Sequence, residues 1–168
     1  MSFAAIVRCG MTHYTTLVDA RTLSTGRDDF VIFDCRFDLA NVHWGEAQFA
    51  EAHLPGAQYL HLDRDLSSPI TPTSGRHPLP DPDALARRLG ALGVDADRQV
   101  VAYDQGNGAY GARLWWLARW IGLTRVAVLD GGIAAWRAAG LPLESAVSAP
   151  TPRTRSSQTK WRCRCFGP

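Results

Sequence analysis

Thiols are the strongest nucleophiles this sequence offers, and it has four of them: Cys9, Cys35, Cys163 and Cys165. Cys9 and Cys35 stand alone, and Cys163-Arg-Cys165 lacks the second pair that a four-ligand zinc site draws on. Neither a metal nor a cofactor is expected from this pattern. A second feature is the loop Asp104-Gln105-Gly106-Asn107-Gly108-Ala109, which follows an apolar run and precedes a helical one. Gly106 and Gly108 allow tight backbone curvature there, and the loop's only ionisable side chain is a carboxylate. His53 has no general-base or metal partner near it in sequence, so it reads as a structural residue bracing the Pro55-Gly56 turn. Arg113 is expected to pair with a buried carboxylate such as Asp34 or Asp130 rather than to bind substrate.

Positioning such a loop takes strands and helices in alternation, and the chain supplies them. Short apolar or β-branched runs at 30–34, 58–62, 99–103 and 125–129 predict strands. Between them, helical patterns are predicted near 16–24, 46–52, 83–92, 109–121 and 133–139, with Asp81-Pro82 opening one helix and Gly93 and Gly140 following the stripes they close. The alternation predicts an α/β domain with a mainly parallel sheet. The stretch from Ser67 to Pro82 holds five prolines and predicts an ordered surface loop.

With 168 residues, 46% hydrophobic and 20% charged, the chain fits one domain that buries about two-thirds of its extended surface and needs no disulfide. Residues 1–14 read as an N-terminal extension, 15–144 as the domain, and 145–168 as a basic, disordered tail of Ser, Thr, Pro and Arg. The net charge of +2 conceals an asymmetry: five cations and no acid follow residue 145, leaving −3 on the rest. A body without clustered Lys and Arg argues against nucleic acid. No run reaches membrane-spanning length and none resembles a secretory signal, so a cytoplasmic protein is expected.

Several segments resemble the rhodanese family. Phe49-Ala-Glu-Ala-His53-Leu-Pro55-Gly56-Ala57 is similar to its first signature. Asp34-Cys35-Arg36-Phe37, Gly75-Arg-His-Pro-Leu-Pro-Asp81 and Val126-Ala-Val-Leu-Asp130-Gly131-Gly132 with Trp136 also resemble it, although Leu129, Ile133 and Ala135 depart from the second signature. The resemblance implies a three-layer sandwich with helices on both faces of the sheet, and a strand-end role for Cys35. It also implies that a persulfide-forming cysteine should begin the loop after the strand ending at Tyr103. There, inward N–H groups and a helix N-terminus would stabilise a thiolate. Asp104 occupies that position instead.

A carboxylate cannot form and exchange the S–S bond that sulfur transfer requires. Asp104, with Ala112-Arg113-Leu-Trp115-Trp116 after it, resembles the N-terminal half of tandem thiosulfate or 3-mercaptopyruvate sulfurtransferases, whose second half carries the cysteine. The expectation is therefore a sulfurtransferase module without its nucleophile, Asp104 filling the cradle as a built-in anion. Its partner would be a second, Cys-bearing rhodanese domain missing from this chain, or another protein. The alternative is a non-enzymatic rhodanese-like module that binds a protein or a small anion. The tail is compatible with a truncated or frame-shifted tandem protein and equally with a native basic extension. A cysteine-dependent phosphatase of related fold is rejected, because Asp104 lies nine positions before Arg113 with no Cys between them. Trp116 and Trp120 share one helix face and Trp115 another; core packing explains most of this, and the resemblance to tandem proteins, whose halves pack together, implies one of these aromatics on an exposed apolar surface.

Overall fold

The computed structural model describes residues 13–26 and 30–145. The expected tail, with Cys163 and Cys165, and nearly all of the expected N-terminal extension, with Cys9, lie outside the described residues. Among the described residues five strands, β1 (Leu17–Val18), β2 (Phe30–Asp34), β3 (Gln58–Tyr59), β4 (Gln99–Tyr103) and β5 (Val126–Leu129), form one sheet in the order β1-β5-β4-β2-β3, every pair parallel. Six helices of the same residues accompany them: α1 (Ala20–Gly26), α2 (Trp44–Glu51), α3 (Leu62–Asp65), α4 (Pro82–Ala91), α5 (Ala109–Trp120) and α6 (Gly132–Ala138).

Strand alternation splits the core into two layers. Val31, Phe33, Val100, Ala102 and Val126 face the helical side chains Leu85, Leu89, Leu114 and Leu117, so α4 and α5 cover one face. Ile32, Val101, Tyr103, Ala127 and Leu129 face Leu23, Phe49, Ile133 and Trp136, so α1, α2 and α6 cover the other. A sheet buried on both faces explains why β4 is apolar at successive positions rather than every second one.

Two predicted elements differ. The helix expected over 16–24 begins only at Ala20, because Leu17 and Val18 pair with Val128 and Leu129 as an edge strand. Asp19 then starts the helix, its carboxylate accepting the Thr22 N–H at 2.9 Å and the Thr22 hydroxyl at 2.7 Å. The strand expected over 58–62 stops at Tyr59, since the His61 imidazole Nδ1 accepts the N–H groups of Asp63 and Arg64 and caps α3. Tyr14, one residue outside the expected domain, is tied to the sheet through both amide atoms of Gln99, each at 2.9 Å. Asp81 and Pro82 open α4 as expected, with the Asp81 carboxylate accepting the Ala84 N–H at 2.7 Å. No helix among the described residues is long and apolar enough to cross a membrane.

Candidate functional site

All strands point the same way, so the loops after β2, β4 and β5 gather at one end of the sheet. β4 ends at Tyr103, and Asp104 is fully buried immediately beyond it. Its carboxylate is wrapped by its own loop. Oδ1 accepts the N–H groups of Gly106 (2.9 Å) and Gly108 (3.0 Å), and Oδ2 those of Tyr110 (3.0 Å) and Gly111 (3.2 Å). The last two belong to the first turn of α5, whose free N–H groups and positive dipole end favour an anion. Curling the chain this tightly takes φ = +146° at Gly106 and +77° at Gly108, both left-handed.

The loop is fastened on two sides. The Asp104 carbonyl accepts the Ile133 N–H of α6 at 2.9 Å. A Cβ on Gly132 would fall 2.4 Å from that carbonyl, which accounts for a glycine there at φ = +56°. On the other side the Gln105 side-chain amide donates to the Phe37 carbonyl at 3.0 Å. Asn107 closes the loop through its side-chain oxygen, which accepts the Ala109 N–H at 3.1 Å.

Beneath the loop lies a second buried carboxylate. Asp34 receives Arg36 Nε at 3.0 and 2.9 Å on its two oxygens and Arg36 Nη2 at 2.6 Å. The Tyr103 hydroxyl donates to it at 2.6 Å. Burial alone would favour a neutral Arg36, but the hydrogen bonds and charge of Asp34 hold the guanidinium protonated beyond its ordinary range. Burial, and then Asp34, push the Tyr103 hydroxyl well above the usual phenol value. Cys35 is sealed between these groups. Burial raises its thiol strongly, with the charges of Asp34, Asp104 and Asp65 adding to the effect, so it stays a protonated, unreactive thiol.

A rhodanese-like domain model matches residues 15–139. The chain belongs to the rhodanese-like domain family. It is 49% identical over 126 residues to the "Probable 3-mercaptopyruvate sulfurtransferase" of Pseudomonas aeruginosa, covering 74% of this chain and 44% of that protein. With thiosulfate/3-mercaptopyruvate sulfurtransferase 2 of Arabidopsis thaliana it shares 37% identity over 133 residues, 78% of this chain and 38% of the plant protein. The solved 3-mercaptopyruvate sulfurtransferase of Leishmania major superposes with a TM-score of 0.75 at 33% identity, over 84% of this chain and 40% of that one. The chain thus spans less than half the length of the curated relatives it matches.

Among the rhodanese-like signature residues, the structure brings Asp34, Arg36, Asp104, Gln105, Gly106, Gly108 and Gly132 to one place. His53 stands apart: it is buried and stacked on Phe49 at 4.0 Å, and its Nδ1 lies 2.7 Å from the Phe49 carbonyl. It braces the end of α2, with Pro55 buried and Gly56 in the turn at φ = +73°. Asp130 is exposed, and its N–H donates to the Val18 carbonyl. Gly131 caps α6 at φ = +69°.

The expected pairing of Arg113 with Asp34 or Asp130 is not what the rhodanese-like fold contains. Arg36, two residues away, already holds Asp34, and Asp130 belongs to the turn before α6. Arg113 instead reaches over the proline-rich loop, and its guanidinium donates to the carbonyls of Leu66, His77 and Pro78 at 3.0–3.1 Å. Neutral acceptors leave burial unopposed, and its pKa is lowered accordingly. Tyr103 escaped the sequence reading as a site residue. A phenol one position before Asp104 was visible, but its reach to Asp34 depends on β2 lying beside β4. Trp116 and Trp120 stack at 5.8 Å with Trp116 45% exposed, while the Trp115 indole turns away and donates to the Thr15 carbonyl.

Proposed function

We propose that this chain is the non-nucleophilic rhodanese-like module of a sulfurtransferase that uses thiosulfate or 3-mercaptopyruvate, and that alone it transfers no sulfur. One observation carries the reading: the Asp104 carboxylate takes all four N–H groups of a cradle suited to a thiolate or persulfide. Carbon-bound oxygens cannot accept a sulfane sulfur and pass it on, since both steps need a sulfur nucleophile. The described residues hold one free cysteine, Cys35, and it is buried and held protonated. The greater length of the relatives supports a partner, which on this reading is a Cys-bearing rhodanese domain whose thiolate does the chemistry.

The test is thiocyanate formation from cyanide with thiosulfate or 3-mercaptopyruvate as donor. The purified chain is expected to stay at the background rate. Turnover that survives in this chain and disappears in Cys35→Ser would defeat the proposal. In Asp104→Cys the new thiol faces the same four N–H groups, so it is expected to be ionised at neutral pH, seen as thiolate ultraviolet absorbance lost on acidification. A thiol at that position that shows no thiolate absorbance at neutral pH would show that the cradle does not stabilise a thiolate.

A further inference from the structure

The segment from Ala52 to Gly56, between α2 and β3, is gripped from two sides. On its inner side the Ala52 carbonyl accepts Arg36 Nη2 at 2.7 Å, and the Leu54 N–H donates to the Tyr103 hydroxyl at 3.2 Å. On its outer side His53 and Glu144 exchange both backbone hydrogen bonds, each 2.8 Å, as an isolated antiparallel bridge. The Glu144 carboxylate also accepts the Gly56 N–H at 3.0 Å. Glu144 in turn ends a short run laid over α6. The Trp136 indole N–H donates to the Pro142 carbonyl at 2.8 Å, and Leu141 and Leu143 pack on the second core layer. This run lies beyond residue 139, where the match to the family ends.

The inner contacts lead to the Asp104 loop by two routes. Tyr103 is covalently joined to Asp104, and Arg36 precedes Phe37, whose carbonyl holds the Gln105 side chain. We propose that residues 141–144 form a strap that, through the 52–56 turn, holds the cradle around Asp104 in place. With the strap seated, the 52–56 turn is fixed and presents its carbonyl and N–H to Arg36 and Tyr103. Lifting it frees the backbone groups of His53, lets the turn drift, and loosens the hold of Tyr103 and Arg36 on the loop. Local opening of the strap and ordering of the cradle are then parts of one cooperative unit.

Amide hydrogen exchange on the full chain tests this. Glu144→Pro deletes the N–H that donates to His53. Exchange at His53, Leu54, Gly106 and Gly108 is expected to rise on the order of tenfold, while Val101 and Ala127 in the sheet centre stay unchanged. Glu144→Ala keeps the backbone bridge and is expected to affect Gly56 alone. Faster exchange at His53 and Leu54 with Gly106 and Gly108 unaltered would make the strap a local latch and overturn the coupling. Equal acceleration at Val101 and Ala127 would overturn it too, by showing a general loss of stability. If Glu144→Pro does not fold, Trp136→Phe removes the indole donor to Pro142 and is read on the same amides, with the same outcomes.

Discussion

Asp34 and Asp104 are both fully buried at the same end of the sheet, on neighbouring strands, yet they are accommodated in opposite ways. Asp34 has a cation: Arg36 contributes a guanidinium fork and a phenol completes the shell. Asp104 has none among the described residues, and four neutral backbone N–H groups at a helix start do the same work. An ion pair suits one side chain at one place and fixes the ends of two strands. A cradle of N–H groups is indifferent to what carries the negative charge, provided it is small and sits at the first position of the loop. The difference separates a structural carboxylate from one that stands where a reacting anion could stand.

The largest effect is expected from Arg36→Met. It strands the Asp34 charge in the core, and the expected loss of stability is about 3–5 kcal/mol in chemical denaturation at neutral pH. A loss below about 1 kcal/mol would mean that the Tyr103 hydroxyl and the Arg36 N–H suffice, and the two carboxylates would then differ little. Asp104→Asn is the matching change on the other side. The amide keeps one oxygen for one pair of N–H groups and turns an NH2 toward the other pair, at a cost of about 2–3 kcal/mol. Denaturation checks the value, and a neutral substitution would mean that water enters and serves the loop as well as the carboxylate does.

Local chemistry made much of this legible in advance. β4 was bounded correctly because Gln99 and four apolar residues run between a polar loop and a glycine-rich one, and α4 was placed to within one residue at each end because Asp81-Pro82 is a self-contained start signal. Glycines at 106 and 108 announced a tight loop by their spacing. What stayed hidden depends on residues distant in sequence. Leu17 and Val18 are a strand only because β5 is there to pair with them. Arg113 looked for a carboxylate because charge is visible in a sequence, whereas the three carbonyls that satisfy it are backbone atoms common to every residue and are placed by the fold. Tyr103 likewise acquires its role from strand order.

The gentlest probe lies where the fields of the two carboxylates meet, at Cys35. Burial, then Asp34, Asp104 and Asp65, raise its thiol well above the ordinary value. In the unfolded chain the same thiol ionises near its ordinary pKa of 9.0, while in the folded chain it keeps its proton. Below that pH both states hold the proton and Cys35 contributes no slope. Above it the unfolded state alone loses a proton, so stability falls as pH rises, by about 1.4 kcal/mol per pH unit. Cys35→Ala has no thiol to titrate, so its stability should decline less steeply than that of the wild type between roughly pH 9 and 10, before tyrosines ionise in the unfolded chain. Parallel curves from urea denaturation across that window would show that Cys35 releases its proton in the folded state as well. The two buried charges would then be far better screened from the thiol than their hydrogen bonds imply.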